Sequence, residues 1–297
     1  MSPGADDGRS TLRPRRSVLY LPASNERALE KARAIPCDGL ILDLEDAVAP
    51  DAKPAAREAA AAAAASGDYG RRTVTIRVNG LGTQWHDDDM VAASQAGPAA
   101  IVVPKVDSAD DVARLVSAME KAGAPDHTRL WAMVETPVAI LDALAIARAS
   151  ERIGAFVLGT NDLVKELYAE HVPGRAPILP SLHTALLAGR AAGIAVIDGV
   201  YNDVQDTEGF LAECEQGRQM GFDGKTLIHP GQVEGANAAF APSDQAVEDA
   251  RGLIAAWEDG KGAGVVTFNG KMVENLHVES ARRTLAISEA IKALGTD

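Results

Sequence analysis

Two acidic residues, Glu135 and Asp162, close two apolar runs, LWAMVET and AFVLGTND, that flank one Ala/Leu-rich stretch, PVAILDALAIARA. Strand, helix and strand at this spacing predict two neighbouring parallel strands, each ending in a carboxylate, with both acids emerging on one rim of a sheet. Two carboxylates so placed make a seat for a divalent cation. The neighbours Thr136, Thr160 and Asn161 offer hard oxygens and no Cys or His stands at ligand spacing. The chemistry therefore favours Mg2+, with Mn2+ as the alternative, over zinc. A hard cation on two carboxylates keeps positions open for substrate oxygens. The plainer reading of the same acids is that each caps the helix that follows it.

The pattern repeats along the chain. GLILDLEDAV carries Asp43, Glu45 and Asp46, RRTVTIRVNG ends in Arg77 and Asn79, AAIVVPKV in Lys105, IAVIDGV holds Asp198, and GKTLIHP holds Lys225 and His229. Three unpartnered acids are costly to bury, so Asp43, Glu45 and Asp46 are expected at an open strand end facing a cation, a basic side chain or water. Lys105 or Lys225 could serve as a Schiff-base lysine, but that chemistry leaves the carboxylate pair unexplained. His127, His171, His183 and His277 form no ligand spacing, and His229 is expected to orient its loop.

These residues need a scaffold that collects strand ends. Eight apolar runs alternate with helix-like segments, among them His86 to Ala96, Ala109 to Ala122, Pro137 to Ala149, Ser181 to Ala192 and Thr207 to Met220. Continuous apolar runs are what strands buried on both faces require, and the pattern is that of an α/β fold, a closed (β/α)8 TIM barrel. A doubly wound open sheet needs a Gly-rich turn after the first strand, where PASNER supplies none. The expected organisation is a flexible leader over residues 1–16, a barrel over 17–240, and a C-terminal lid and closing helix over 241–297. The 46% hydrophobic content suits one large core. A net charge of -13 argues against nucleic acid or an anionic membrane as partner. Two distant cysteines, Cys37 and Cys214, fit a reduced, cytoplasmic chain.

Taken in order, SVLYLPAS, LILDLEDAVAP, IRVNGLGT, VVPKV, VETP, LGTNDL, IDGVYND, GFDGKTLIHPGQV and FNGKMVE resemble the successive signature segments of the citrate lyase beta-subunit and malyl-CoA lyase group of the HpcH/HpaI aldolase superfamily. The resemblance runs from Arg16 almost to the end. It implies an Mg2+-dependent lyase that reversibly cleaves a β-hydroxyacyl-CoA of malyl, citramalyl or citryl type into an acyl-CoA and an oxo acid by a retro-Claisen route. It implies Mg2+ on Glu135 and Asp162, Arg77 on the substrate acid or thioester oxygen, and Glu45 and Asp46 nearby. Arg27, Lys31 and Arg33 become candidates for the coenzyme A phosphates, although they equally read as a solvated helix face. Asn25, Thr160 and Asn161 complete the expected binding residues. Relatives carry an acid/base aspartate in a lid that reaches a neighbouring subunit, which implies a homotrimer or hexamer with lid exchange. Here that position is Glu274, one methylene longer. The departure opens a shifted reaction, such as a malyl-CoA-type thioesterase, as one alternative; the resemblance to citrate lyase separately implies another, a subunit that works only with an acyl-carrier partner.

Overall fold

The computed structural model describes residues 12–260 and 264–295. Eight parallel strands close on themselves in chain order, β1 pairing β8. They are β1 Ser17–Pro22, β2 Gly39–Asp43, β3 Thr73–Arg77, β4 Ala100–Val103, β5 Arg129–Val134, β6 Ile153–Leu158, β7 Ala195–Asp198 and β8 Gly224–Leu227. The first four helices are α1 Glu26–Ala32, α2 Lys53–Ala65, α3 His86–Ala96 and α4 Ala109–Lys121. The next four are α5 Pro137–Leu141, α6 Ala143–Arg148, α7 Thr160–Glu166 and α8 Leu179–Ala192, and α9 Thr207–Met220 and α10 Val233–Phe240 complete the ring. This is a TIM barrel. Local chemistry sets the helix starts: Asn25, Ser108, Thr136 and Asp206 each accept a backbone N–H of the first turn, and Gly97, Gly193 and Gly221 end helices in the left-handed conformation.

Period-two alternation divides the apolar residues between two cores. Ile41, Trp131, Met133 and Val157 belong to the cluster that fills the barrel, while Leu40, Leu42, Ile76 and Val196 pack outward under the helices. The N-terminal floor is polar and paired. Arg16 reaches both oxygens of buried Asp38 at 2.9 Å, and Arg15 lies 5.7 Å from the Trp131 ring centroid. Of the stretch expected as a leader, Met1 to Thr11 lie outside the described residues, and Pro14, Arg15 and Arg16 are buried against this floor. The salt bridge from Arg16 to Asp38 is one contact that holds them there.

Beyond α10, α11 (Asp244–Asp259) and α12 (Asn275–Leu294) pack on one another with a hairpin, β9 Val266–Phe268 and β10 Lys271–Val273, turning at Asn269 and Gly270. Arg283 of α12 reaches Asp223 ahead of β8, and Arg71, ahead of β3, donates to the Ala293 carbonyl. The arm is thus anchored at the N-terminal rim. No helix among the described residues is long and apolar enough to cross a membrane.

Candidate active site

Side chains reach the C-terminal mouth by continuing the inward rows of the strands. Ile41 faces the interior, so Asp43 and Glu45 follow it at steps of two; Met133 is followed by Glu135, and Arg77 stands two residues past Thr75. Arg77 is buried. Its Nε and Nη2 donate to Asp43 Oδ1 and Oδ2 at 2.6 and 2.7 Å, and Nη1 lies 2.5 Å from Glu45 Oε2. The guanidinium also covers the Tyr20 ring at 4.9 Å. The two hydrogen bonds to Asp43 occupy two of the five guanidinium N–H groups, and Nη1 faces Glu45 as an ion pair, so N–H groups remain for a ligand. Burial opposes the charge on Arg77, but Asp43, Tyr20 and Glu45 outweigh it, so the group stays protonated. Asp46 is largely exposed, 3.9 Å from Nη1, at the margin of the site.

Burial pushes Glu45 up to about 7, with Asp46 and Asp43 raising it further against Arg77 and Lys105. Its Oε2 is buried and accepts no hydrogen bond among the described residues. Glu135 is pushed up to about 8, first by burial and then by the fields of Asp162 and Glu45. Glu135 Oε1 accepts the Lys105 N–H at 2.9 Å, and its other oxygen lies over Gly159, where a Cβ would fall 1.9 Å from it. Asp162 does not end β6. The strand stops at Leu158, Gly159 turns the chain, and Asp162 sits in the first turn of α7, with its Oδ1 3.3 Å from Lys105 Nζ.

The donor set fits a hard divalent cation. Asp43, Glu45, Glu135 and Asp162 face Arg77 and Lys105, so four carboxylates meet two cations and two negative charges remain. The raised Glu135 and Glu45 express burial first and that crowding second. Among the described residues no group of three or more His, Cys, Asp or Glu side chains stands at metal-holding geometry. A cation here would rest on Glu135 and Asp162 and keep its other positions open.

Other expected residues fall elsewhere. Asp198 and Lys225 follow strand positions of the opposite parity and face outward. Lys225 Nζ bonds Asp198 at 3.1 Å and Glu213 at 2.6 Å, and Arg175 joins Asp198 at 2.7 Å. Lys225 is buried and ion-paired on the outer side of the barrel wall, away from the mouth where a Schiff-base lysine would act. Thr160 is buried beneath a close approach of Gly199, and Asn161 exchanges two hydrogen bonds with Asn202. A cavity of about 400 Å3 opens beside Thr160, walled by Val164, Ile178, Tyr201 and Ala212. Trp85 stacks under Lys53 at 4.9 Å rather than facing the acids. Arg27 and Lys31 are exposed on α1, Asn25 caps that helix, and Arg33 pairs with Asp68 at 2.9 Å. His229 accepts the Gly231 N–H and orders its loop.

Glu274 does not join the mouth of its own chain. It caps α12 in a reciprocal box with His277, on the arm anchored at the opposite rim. The residue missed is Tyr20, which supports Arg77. Lys105, expected at a strand end and weighed there as a Schiff-base lysine, touches both Glu135 and Asp162.

Residues 16–230 match the HpcH/HpaI aldolase/citrate lyase family. A (3S)-malyl-CoA thioesterase of Cereibacter sphaeroides is 49% identical over 284 residues, covering 95% of this chain and 97% of that protein. The citrate lyase subunit beta of Escherichia coli is 37% identical over 284 residues, covering 93% and 94%. The structure of CitE from Mycobacterium tuberculosis in complex with magnesium, acetoacetate and coenzyme A superposes with a TM-score of 0.76 at 29% identity, covering 94% of this chain and 99% of that one. The barrel, its mouth and these likenesses agree that this chain belongs to the HpcH/HpaI aldolase/citrate lyase family of lyase-type enzymes.

Proposed function

We propose that this chain hydrolyses the thioester of a malyl-type β-hydroxyacyl-CoA with Mg2+ held by Glu135 and Asp162. The observation that carries the reading is Glu45, a partly buried glutamate pushed up to about 7 and set against Arg77 beside the carboxylate pair. A base of that strength suits proton transfer near neutral pH. Support comes also from the relatives 49% and 50% identical that bear the name (3S)-malyl-CoA thioesterase, and from the magnesium in the CitE complexes.

When bound, the cation supplies a Lewis acid for oxygens of the acyl group. Glu45 accepts a proton from water as its oxygen adds to the thioester carbon. The N–H groups of Arg77 that are not bonded to Asp43 hold the negative charge that grows on the carbonyl oxygen. The carbon–sulfur bond then breaks, the proton passes from Glu45 to the thiolate, and a free hydroxy acid and coenzyme A leave. Arg27 and Lys31, at the exposed face of α1, are the proposed contacts of the coenzyme A phosphates, with Asn25 holding the helix that presents them.

Carbon–carbon cleavage is the second reading, favoured by the family match and by the CitE complex. It breaks the bond between the hydroxyl-bearing carbon and the carbon next to the thioester, and it must return a proton to that second carbon. Glu274 is the candidate donor, and its place on the arm means that a second copy would deliver it. The arm exposes Val265, Met272 and Leu276, and the α5, α6 and α8 face beside Glu135 exposes Val138, Leu141 and Leu187. A homotrimer or hexamer with lid exchange would cover both surfaces. Mass spectrometry of a malyl-CoA incubation separates the readings: free coenzyme A with malate marks hydrolysis, and acetyl-CoA with glyoxylate marks cleavage.

A further inference from the structure

Lys105 is the one described residue bonded to both members of the carboxylate pair. Its backbone N–H donates to Glu135 at 2.9 Å and its ammonium lies 3.3 Å from Asp162. It adopts φ +52°, the left-handed region that a residue with a Cβ enters only under strain. Buried Val103 and Pro104 precede it and buried Val106 follows, with the Val106 N–H reaching the Met133 carbonyl at 3.4 Å, so the strained residue is gripped from both sides. The strain serves an arrangement: a rigid amide aimed at Glu135, and a half-exposed ammonium free to swing.

We propose that Lys105 is a positioning residue that couples cation loading to substrate capture. Its ammonium neutralises Asp162 while the seat holds no cation. A divalent ion held by Asp162 would repel the ammonium, because like charges a few ångströms apart at the half-exposed mouth repel each other. The released side chain then reaches outward over the mouth, where an anionic thioester enters. The amide stays on Glu135 throughout and keeps that carboxylate aimed. This inference rests on the reading of Glu135 and Asp162 as the cation seat.

The test is calorimetric titration of the purified chain with Mn2+, without substrate, for the native protein, Lys105→Met and Lys105→Gly. The glycine variant keeps the amide to Glu135, removes the ammonium and accepts the positive φ without strain, so it guards against a folding defect in the methionine variant. Both variants are expected to bind Mn2+ about five- to tenfold more tightly than the native chain. Both are also expected to raise KM for the CoA thioester while kcat changes less, a split that a merely structural role would not produce. Unchanged or weaker Mn2+ binding in both variants, with tight binding in the native chain, overturns the role of Lys105 and leaves the cation seat standing. Absence of Mn2+ binding in the native chain overturns both.

Discussion

Arg77 grips Asp43 through two parallel hydrogen bonds of 2.6 and 2.7 Å, so the guanidinium that faces the mouth is fixed before any ligand arrives. Asp43 also accepts the Glu45 and Ala47 N–H groups at 2.9 and 3.2 Å, tying the loop after β2 to the same clamp. A planar fork held on one edge presents its other N–H groups in one direction, which a lysine cannot reproduce.

Asp43→Asn is therefore expected to lower kcat/KM about a hundredfold and to destabilise the fold by about 2 to 3 kcal/mol, because a buried cation loses its best partner. Arg77→Lys should retain the fold better than it retains activity. Steady-state kinetics beside thermal melts check both, and full activity in either variant contradicts the clamp.

Glu135→Gln and Asp162→Asn should abolish Mg2+-dependent activity while the barrel remains folded. Glu135→Gln removes a buried carboxylate held at a raised pKa, so the metal-free melting temperature should hold or rise. EDTA should silence the native protein and Mg2+ restore it. Activity that survives EDTA contradicts the cation reading.

The pH dependence of stability follows from the same two glutamates. Glu135 rises from 4.5 to about 8 and Glu45 from 4.5 to about 7. Both keep a proton in the fold where the unfolded chain has lost it. The stability they contribute is complete below about pH 4.5 and is lost as pH rises through about 7 and 8. The metal-free melting temperature should fall across that window. A cation needs the charged form, so Mg2+ should raise the melting temperature more at about pH 8 than at about pH 6. A flat Mg2+ response across those pH values counts against Glu135 as the ligand.

How much of this was legible in the residues depends on parity. Eight apolar runs separated by helices, in this order, specified the barrel, and Asp43, Glu45, Arg77 and Glu135 all continue rows that face inward. Asp162 was legible as a mouth acid but not as a helical one, because Gly159 ends β6 earlier than the apolar run suggests. Pro137 to Ala149 reads as one helix by periodicity, yet it breaks at Asp142 (φ −97°, ψ 8°) into α5 and α6. Asp198 and Lys225 look like mouth residues until the alternation is counted: Ile197 faces in, so Asp198 faces out. The Lys105 conformation had no sequence signal beyond Pro104.

Lys225→Met should destabilise the fold by about 3 kcal/mol, since it leaves Asp198 and Glu213 short of a buried cation. KM for the thioester should stay unchanged in the folded variant, and borohydride with substrate should trap no adduct on the native chain. An adduct trapped on Lys225 contradicts the outward placement of this network.

Glu274→Ala removes the α12 cap and should cost about 1 kcal/mol. If the chain is a thioesterase driven by Glu45, hydrolysis should persist in this variant and in Glu274→Asp, and Glu45→Gln should abolish it. Loss of all turnover in Glu274→Ala, with the fold intact, moves the proton-transfer role to the arm.

The most direct measurement is a crystal structure with Mn2+, read by anomalous scattering. A single peak about 2.1 Å from a carboxylate oxygen of both Glu135 and Asp162, with Lys105 Nζ moved off Asp162, is the predicted result. A map with no peak at that pair, or with the ion bound elsewhere, contradicts the account.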